Sequence, residues 1–163
     1  MAFTGNYMPT SFKVGLLNGV LSFTAGTGDG YYIALYTNLA TFDSTTSAYT
    51  TSQEVTGTGY TAGGNLLTVS TAPSPVGPTW SGANTTAYIN FSDTTWTTAT
   101  ITARGALIYK NSTVTIGGSS IVKPVIAVLD FGSDKSSSAS NFTIQFPAVG
   151  SSPTGSTAIL RIA

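Results

Sequence analysis

Short runs of β-branched and aromatic residues, cut by Gly, Pro, Ser and Asn, recur from Tyr31 almost to the end of this 163-residue chain. That pattern specifies strands rather than helices. Tyr31 to Tyr36 is the first run, and Leu66 to Ser70 the second, ended by Pro73-Ser74-Pro75. From Thr86 to Phe91 the alternation predicts Ala87, Ile89 and Phe91 on one face, with Tyr88 and Asn90 on the other. The run from Ala99 to Tyr109 starts with Ala99, Ile101 and Ala103 inward, then slips near Gly105, as a bulge would require. Ile121 to Phe131 is nearly all apolar and reads as a central strand covered on both faces. Phe142 to Phe146 and Ala158 to Ile162 complete the set. The expected class is all-β: an antiparallel β-sandwich or jelly roll, with a small barrel also open.

One helix is expected, near the N-terminus. Phe12, Leu16 and Val20 recur every four residues after Thr10-Ser11, either of which suits an N-cap, and Gly19 suits the stop. Residues 1–11 then form an N-terminal arm, its first nine residues ordered by contact with a neighbour, and 12–163 a single β-sandwich domain. The connection from Thr37 to Asn65 is too long for a plain loop, so it holds either a weak strand near Glu54-Val55 or a functional loop. Its glycines at 57, 59, 63 and 64 point to tight turns and close backbone approach. Ser133 to Asn141 and Gly150 to Gly155 read as loops.

Composition removes most familiar chemistry. The chain has no His and no Cys, so a Ser-His-Asp triad, a Cys-His pair, imidazole or thiolate zinc sites and disulfides are excluded. Charged residues make up 7%, six basic against six acidic, with no basic patch for nucleic acid. No apolar run approaches the ~18 residues of a membrane-spanning helix. The first residues lack the charged and apolar regions of a secretory signal, so the expected site of synthesis and residence is a cytoplasm. Polarity comes instead from 29 Thr and 20 Ser, while eight Phe, eight Tyr and two Trp supply a core. A net charge of zero favours association between copies.

The remaining motifs have structural readings. Asp130-Phe131-Gly132 matches a kinase tripeptide without its partners and reads as a strand end with Gly132 opening a turn. Ser120 and Lys123 have nucleophile-and-lysine spacing, but a strand points them to opposite faces. Gly26 to Gly30 precedes a strand instead of joining a strand to a helix, so it is a turn and not a phosphate cradle. The six carboxylates lack the spacing of a calcium loop. Asp93 and Arg104 flank one hairpin and are expected to pair. Trp80 and Trp96 are expected in the core rather than on a sugar-stacking surface.

Several blocks are specific as a set: Tyr31 to Thr37, Glu54 to Gly64, Phe91 to Tyr109, Ala127 to Lys135 and Phe142 to Pro147. In this order, over about residues 12 to 162, they resemble a family of small structural proteins of tailed bacteriophages. The resemblance implies a non-enzymatic virion part made in the host cytoplasm, without cofactor or metal and with no catalytic residues to carry over. It implies a capsid decoration or cement protein on the head surface, with the major capsid protein as partner and self-association as a dimer or trimer. The alternative is a tail or fibre component with an adhesive, carbohydrate-binding role. Neither nucleic acid nor membrane is an expected partner. Candidate partner contacts are the aromatic and Met side chains of the arm and long loop: Phe3, Tyr7, Met8, Phe42, Tyr49 and Tyr60.

Overall fold

The computed structural model describes residues 3–23, 30–75, 87–147 and 159–162. It is all-β with one short helix, α1 (Thr10–Leu17). The strands are β1 (Tyr31–Tyr36), β2 (Asn65–Leu67), β3 (Val69–Pro75), β4 (Ala87–Phe91), β5 (Thr94–Lys110), β6 (Thr113–Ile116), β7 (Ser119–Val122), β8 (Val125–Ile144) and β9 (Leu160–Ile162). A four-stranded sheet runs β2-β1-β5-β8, a three-stranded sheet runs β3-β4-β9, and β6-β7 form a separate hairpin; every pairing is antiparallel. The two larger sheets share a core in which Ile33, Leu35, Ile101 and Ile108 meet Ile89, Phe91 and Leu160.

The helix lies where expected but lacks the expected cap. Pro9 occupies the N-cap with no side-chain bond, and Thr10 N donates instead to the Ser44 carbonyl at 2.8 Å. Phe12 is buried, and Gly19 ends the helix at φ 67° as the left-handed stop requires.

Several strand expectations change. The run at 66–70 is divided between two sheets, β2 in the larger and β3 in the smaller. Pro73 and Pro75 do not end it: β3 runs through both as an edge strand, the position in a sheet where proline is tolerated. Asn90 is buried with Ile89 and Phe91, its amide donating to the Pro147 carbonyl, so the alternation fails there. The apolar run at 121–131 breaks at Lys123 (φ 52°), leaving Val122 exposed in the hairpin. β8 is an edge strand rather than a central one, and β1 and β5 hold the centre. Its first residues, Val125 to Val128, are still buried, partly by the N-terminal segment. Residues 133–141, expected as a loop, belong to β8 and pair with the distal half of β5.

The slip near Gly105 is real. Gly105 opposes Asp130 while Ala103 opposes Lys135, so residues 131–134 bulge out of the ladder. Gly132 sits within this bulge at φ 76° and ends no strand. A Cβ on Gly105 would collide with the Leu129 carbonyl and the Phe3 ring, so only glycine fits between them.

The arm packs on its own domain. Tyr7 and Val128 exchange backbone bonds at 3.0 and 2.9 Å, Phe3 bridges to Phe42, and the Asn6 side chain accepts from Asp130 N at 2.7 Å. Ordering by a neighbour is therefore not needed for residues 3–9. Phe3 meets Phe42 edge-on at 5.7 Å, and Phe42 meets Tyr36 at 4.7 Å. They belong to a second core on the far face of the larger sheet, with Leu107, Tyr109 and Val128.

Candidate functional site

The long segment 37–64 crosses that far face and is knotted around Glu54. Glu54 is 8% exposed. Its Oε1 accepts from Tyr60 Oη and Gly63 N, both at 2.7 Å, and its Oε2 accepts from Tyr49 Oη at 2.7 Å. Tyr60 Oη in turn accepts from Leu35 N at 2.9 Å, which ties the knot to β1. Tyr109 Oη donates to the Gly63 carbonyl at 2.8 Å and Tyr36 Oη to the Thr50 carbonyl, so two core tyrosines reach the same loop from below. The expected weak strand is reduced to one bridge, Tyr36 to Glu54. The close approach expected of the glycines holds at Gly64 (φ 72°), where a Cβ would strike the Ile33 carbonyl.

Electrostatics follow from this burial. Desolvation raises the phenols of Tyr36, Tyr49 and Tyr60 well above the ordinary tyrosine value; the Glu54 carboxylate raises Tyr49 and Tyr60 further by accepting the hydrogen bond of the neutral phenol, and all three by opposing a second negative charge. Tyr109 is pushed up to about 12, again by burial first and Glu54 second. Lys123 Nζ lies 4.8 Å from the Tyr49 ring centroid and 5.8 Å from that of Tyr109, a cation over two aromatic faces tilted against each other. A carboxylate held by three donors in this way fixes a loop, because undoing it would strand a buried charge.

Of the six candidate contacts, Phe3 (4% exposed) and Phe42 (8%) lie in the core and have little surface to give a partner. Tyr60 is half-buried, stacked on Trp96 at 5.9 Å and bound to Glu54. Tyr49 is half-buried with its hydroxyl on Glu54, and Met8 packs against the main core. Tyr7 is half-buried, its hydroxyl shared with Thr4 Oγ1. Trp96 is in the core as expected, and Trp80 lies outside the described residues. The expected Asp93–Arg104 pair does not form. Arg104 Nε bonds Asp130 Oδ1 at 3.0 Å, and Asp93 Oδ1 accepts from Phe146 N at 2.8 Å. The bulge at 131–134 brings Asp130 opposite Gly105, beside Arg104, a placement that sequence spacing does not reveal.

Sequence reasoning missed the central role of Glu54. The only signal is that the chain's single Glu stands between Tyr49 and Tyr60. It also missed the outer face of β5 and β8. Thr95, Thr97, Thr98, Thr100 and Thr102 are exposed there, with Thr95 hydrogen-bonded to Thr143 at 2.9 Å and Thr102 to Ser136 at 2.8 Å. Beyond the Tyr7–Val128 bridge and the bond from Val125 N to the Ser47 carbonyl at 2.9 Å, the outer edge of β8 has no strand partner among the described residues. Among those residues no group of three or more His, Cys, Asp or Glu is placed to hold a metal ion. Comparison with protein-family models, with curated proteins and with solved structures gives no match.

Proposed function

We propose that this chain is a non-enzymatic structural protein of a tailed-phage virion, a decoration protein that binds and stabilises the head shell. The observation that favours this reading is the exposed ladder of β5 and β8. It is a long face of Thr and Ser hydroxyls ending in a strand edge that is unpaired among the described residues, and Asp134 and Lys135 are the only charges between residues 131 and 144. A neutral, hydroxyl-bearing face suits wet, hydrogen-bonded interfaces repeated over many copies, where modest contacts add by multivalency. A strand edge without strong charge is also open to pairing with another chain. The resemblance to phage structural proteins points the same way. Contacts then come from this ladder rather than from Phe3 and Phe42.

Mixing purified protein with undecorated heads tests the proposal. Bound protein in hundreds of copies, counted by mass spectrometry of whole particles, with increased resistance of the heads to heat or osmotic shock, is the expected result. Absence of head binding, or a few copies confined to one vertex of native virions, overturns it.

A further inference from the structure

Beside the exposed ladder lies a groove of about 340 Å³. Thr37, Thr56, Thr100, Thr102 and Ser137 line it, with Val55 and Ile101 as its apolar part. No lining residue is charged. Val55 and Ile101 are buried, whereas Thr56, Thr100 and Thr102 are exposed. Ser137 Oγ is buried with no hydrogen-bond partner among the described residues, which is costly unless something else meets it.

The walls are fixed before any ligand arrives. Thr100 N donates to the Thr58 carbonyl and Val55 N to the Leu35 carbonyl, both at 2.9 Å. Gly57 packs so closely on the Thr100 carbonyl that a Cβ would collide with it. Glu54, next to Val55, anchors the same loop through its three donors. On the opposite side Asn38 Nδ2 bonds Asp134 Oδ2 at 2.9 Å, joining the turn after β1 to β8. A prearranged wall spares a ligand the entropy of ordering it.

We infer that this groove is a binding site for one neutral sugar ring. Hydroxyls both donate and accept, so a hydroxyl-lined wall complements a polyhydroxylated ligand. The absence of charge in the lining disfavours phosphate, carboxylate or amine ligands, which need a counter-charge. The methyl groups of the exposed threonines supply the apolar contact for the C–H face of a ring. Its volume lies at the small end of ligand pockets, which run from about 300 Å³ upward, and matches a single ring rather than a chain. The site goes beyond the decoration reading and does not depend on where in a virion the chain sits.

The test is a titration of ¹⁵N-labelled full-length protein with glucose, galactose, mannose and N-acetylglucosamine, each followed by amide chemical shifts. Saturable shifts centred on residues 55–57, 100–102 and 136–138, with a dissociation constant on the order of 1 mM for at least one sugar, are expected. Thr56→Val and Ser137→Ala, checked for unchanged melting, should each weaken that sugar about 3- to 10-fold, the worth of one net hydrogen bond. Four sugars without saturable shifts up to about 50 mM, far above the expected constant, overturn the inference. So do shifts centred elsewhere, or variants that titrate as the parent does. Head binding without sugar shifts refutes this site alone, and sugar shifts without head binding refute the decoration reading alone.

Discussion

Tyr60 Oη donates to Glu54 Oε1 at 2.7 Å while accepting from Leu35 N at 2.9 Å, so one phenol links the carboxylate of the long loop to the central strand β1. Removing the carboxylate tests how much this link contributes. Glu54→Ala leaves two phenols and the Gly63 amide without their acceptor, and each unsatisfied buried group costs about 1–3 kcal/mol. A loss of about 3 kcal/mol or more in urea unfolding is expected, with Glu54→Gln milder because it keeps one acceptor oxygen. A loss below about 1 kcal/mol for the Ala variant would show that the knot holds little.

Alkaline pH should act through the tyrosines. Their folded values lie above the unfolded value near 10, so the neutral phenol is what the fold favours. The resulting stability is fully present below about pH 10 and is lost as pH rises through the folded values, that of Tyr109 being about 12. Absorbance titration of tyrosinate should show a late group of phenols ionising together with the loss of near-UV circular dichroism. Ionisation of all eight tyrosines near pH 10 with the fold intact would contradict the burial of these phenols.

Acid should act at Asp130. Desolvation alone would raise its carboxyl, but the Arg104 guanidinium and the Gly132 amide outweigh it and hold the value below the usual carboxylate range. Its contribution is therefore present above the unfolded value of about 4 and is lost as pH falls through the lower folded value. Asp130→Asn should cost about 1 kcal/mol at pH 7, since the pair is partly exposed, and the difference from the parent should shrink toward pH 3. A difference that stays constant between pH 7 and pH 3 would mean the charge is not what matters.

The docked arm gives a fourth test. Phe3→Ala removes a ring packed on Phe42 and Gly105, a change that costs about 3–5 kcal/mol at a fully buried site. Hydrogen exchange at Tyr7 and Val128 should accelerate more than at Ile33, because those two amides bond across the arm. Equal protection in parent and variant would mean that Phe3 does not hold the arm in place.

How much of this was legible depended on range. β1 could be read to its last residue, and the inward trio Ala99, Ile101 and Ala103 was correct, because side-chain alternation is a local property of a strand with one buried face. The slip at Gly105 was legible for the same reason. The place of β8 was not, since an apolar run is as compatible with an edge strand buried by an arm as with a central strand. Ser133 to Asn141 has the composition of a loop and becomes strand only because β5 offers it a ladder. Of the proposed contacts, composition could find large aromatic residues but not say which would turn inward.

By itself the sequence determined an all-β chain with one short helix, a nearly uncharged surface and no imidazole or thiol chemistry, because residue type and local period act over a few positions. Only the tertiary structure decided that Glu54 meets Tyr49, Tyr60 and Gly63, that Arg104 meets Asp130 and not Asp93, and that Phe3 and Phe42 close a second core. Each of these joins segments whose approach is set by strand order, a bulge or a loop crossing a sheet. Such meetings are fixed by the sum of packing and backbone satisfaction over the whole fold, which no short stretch of residues encodes.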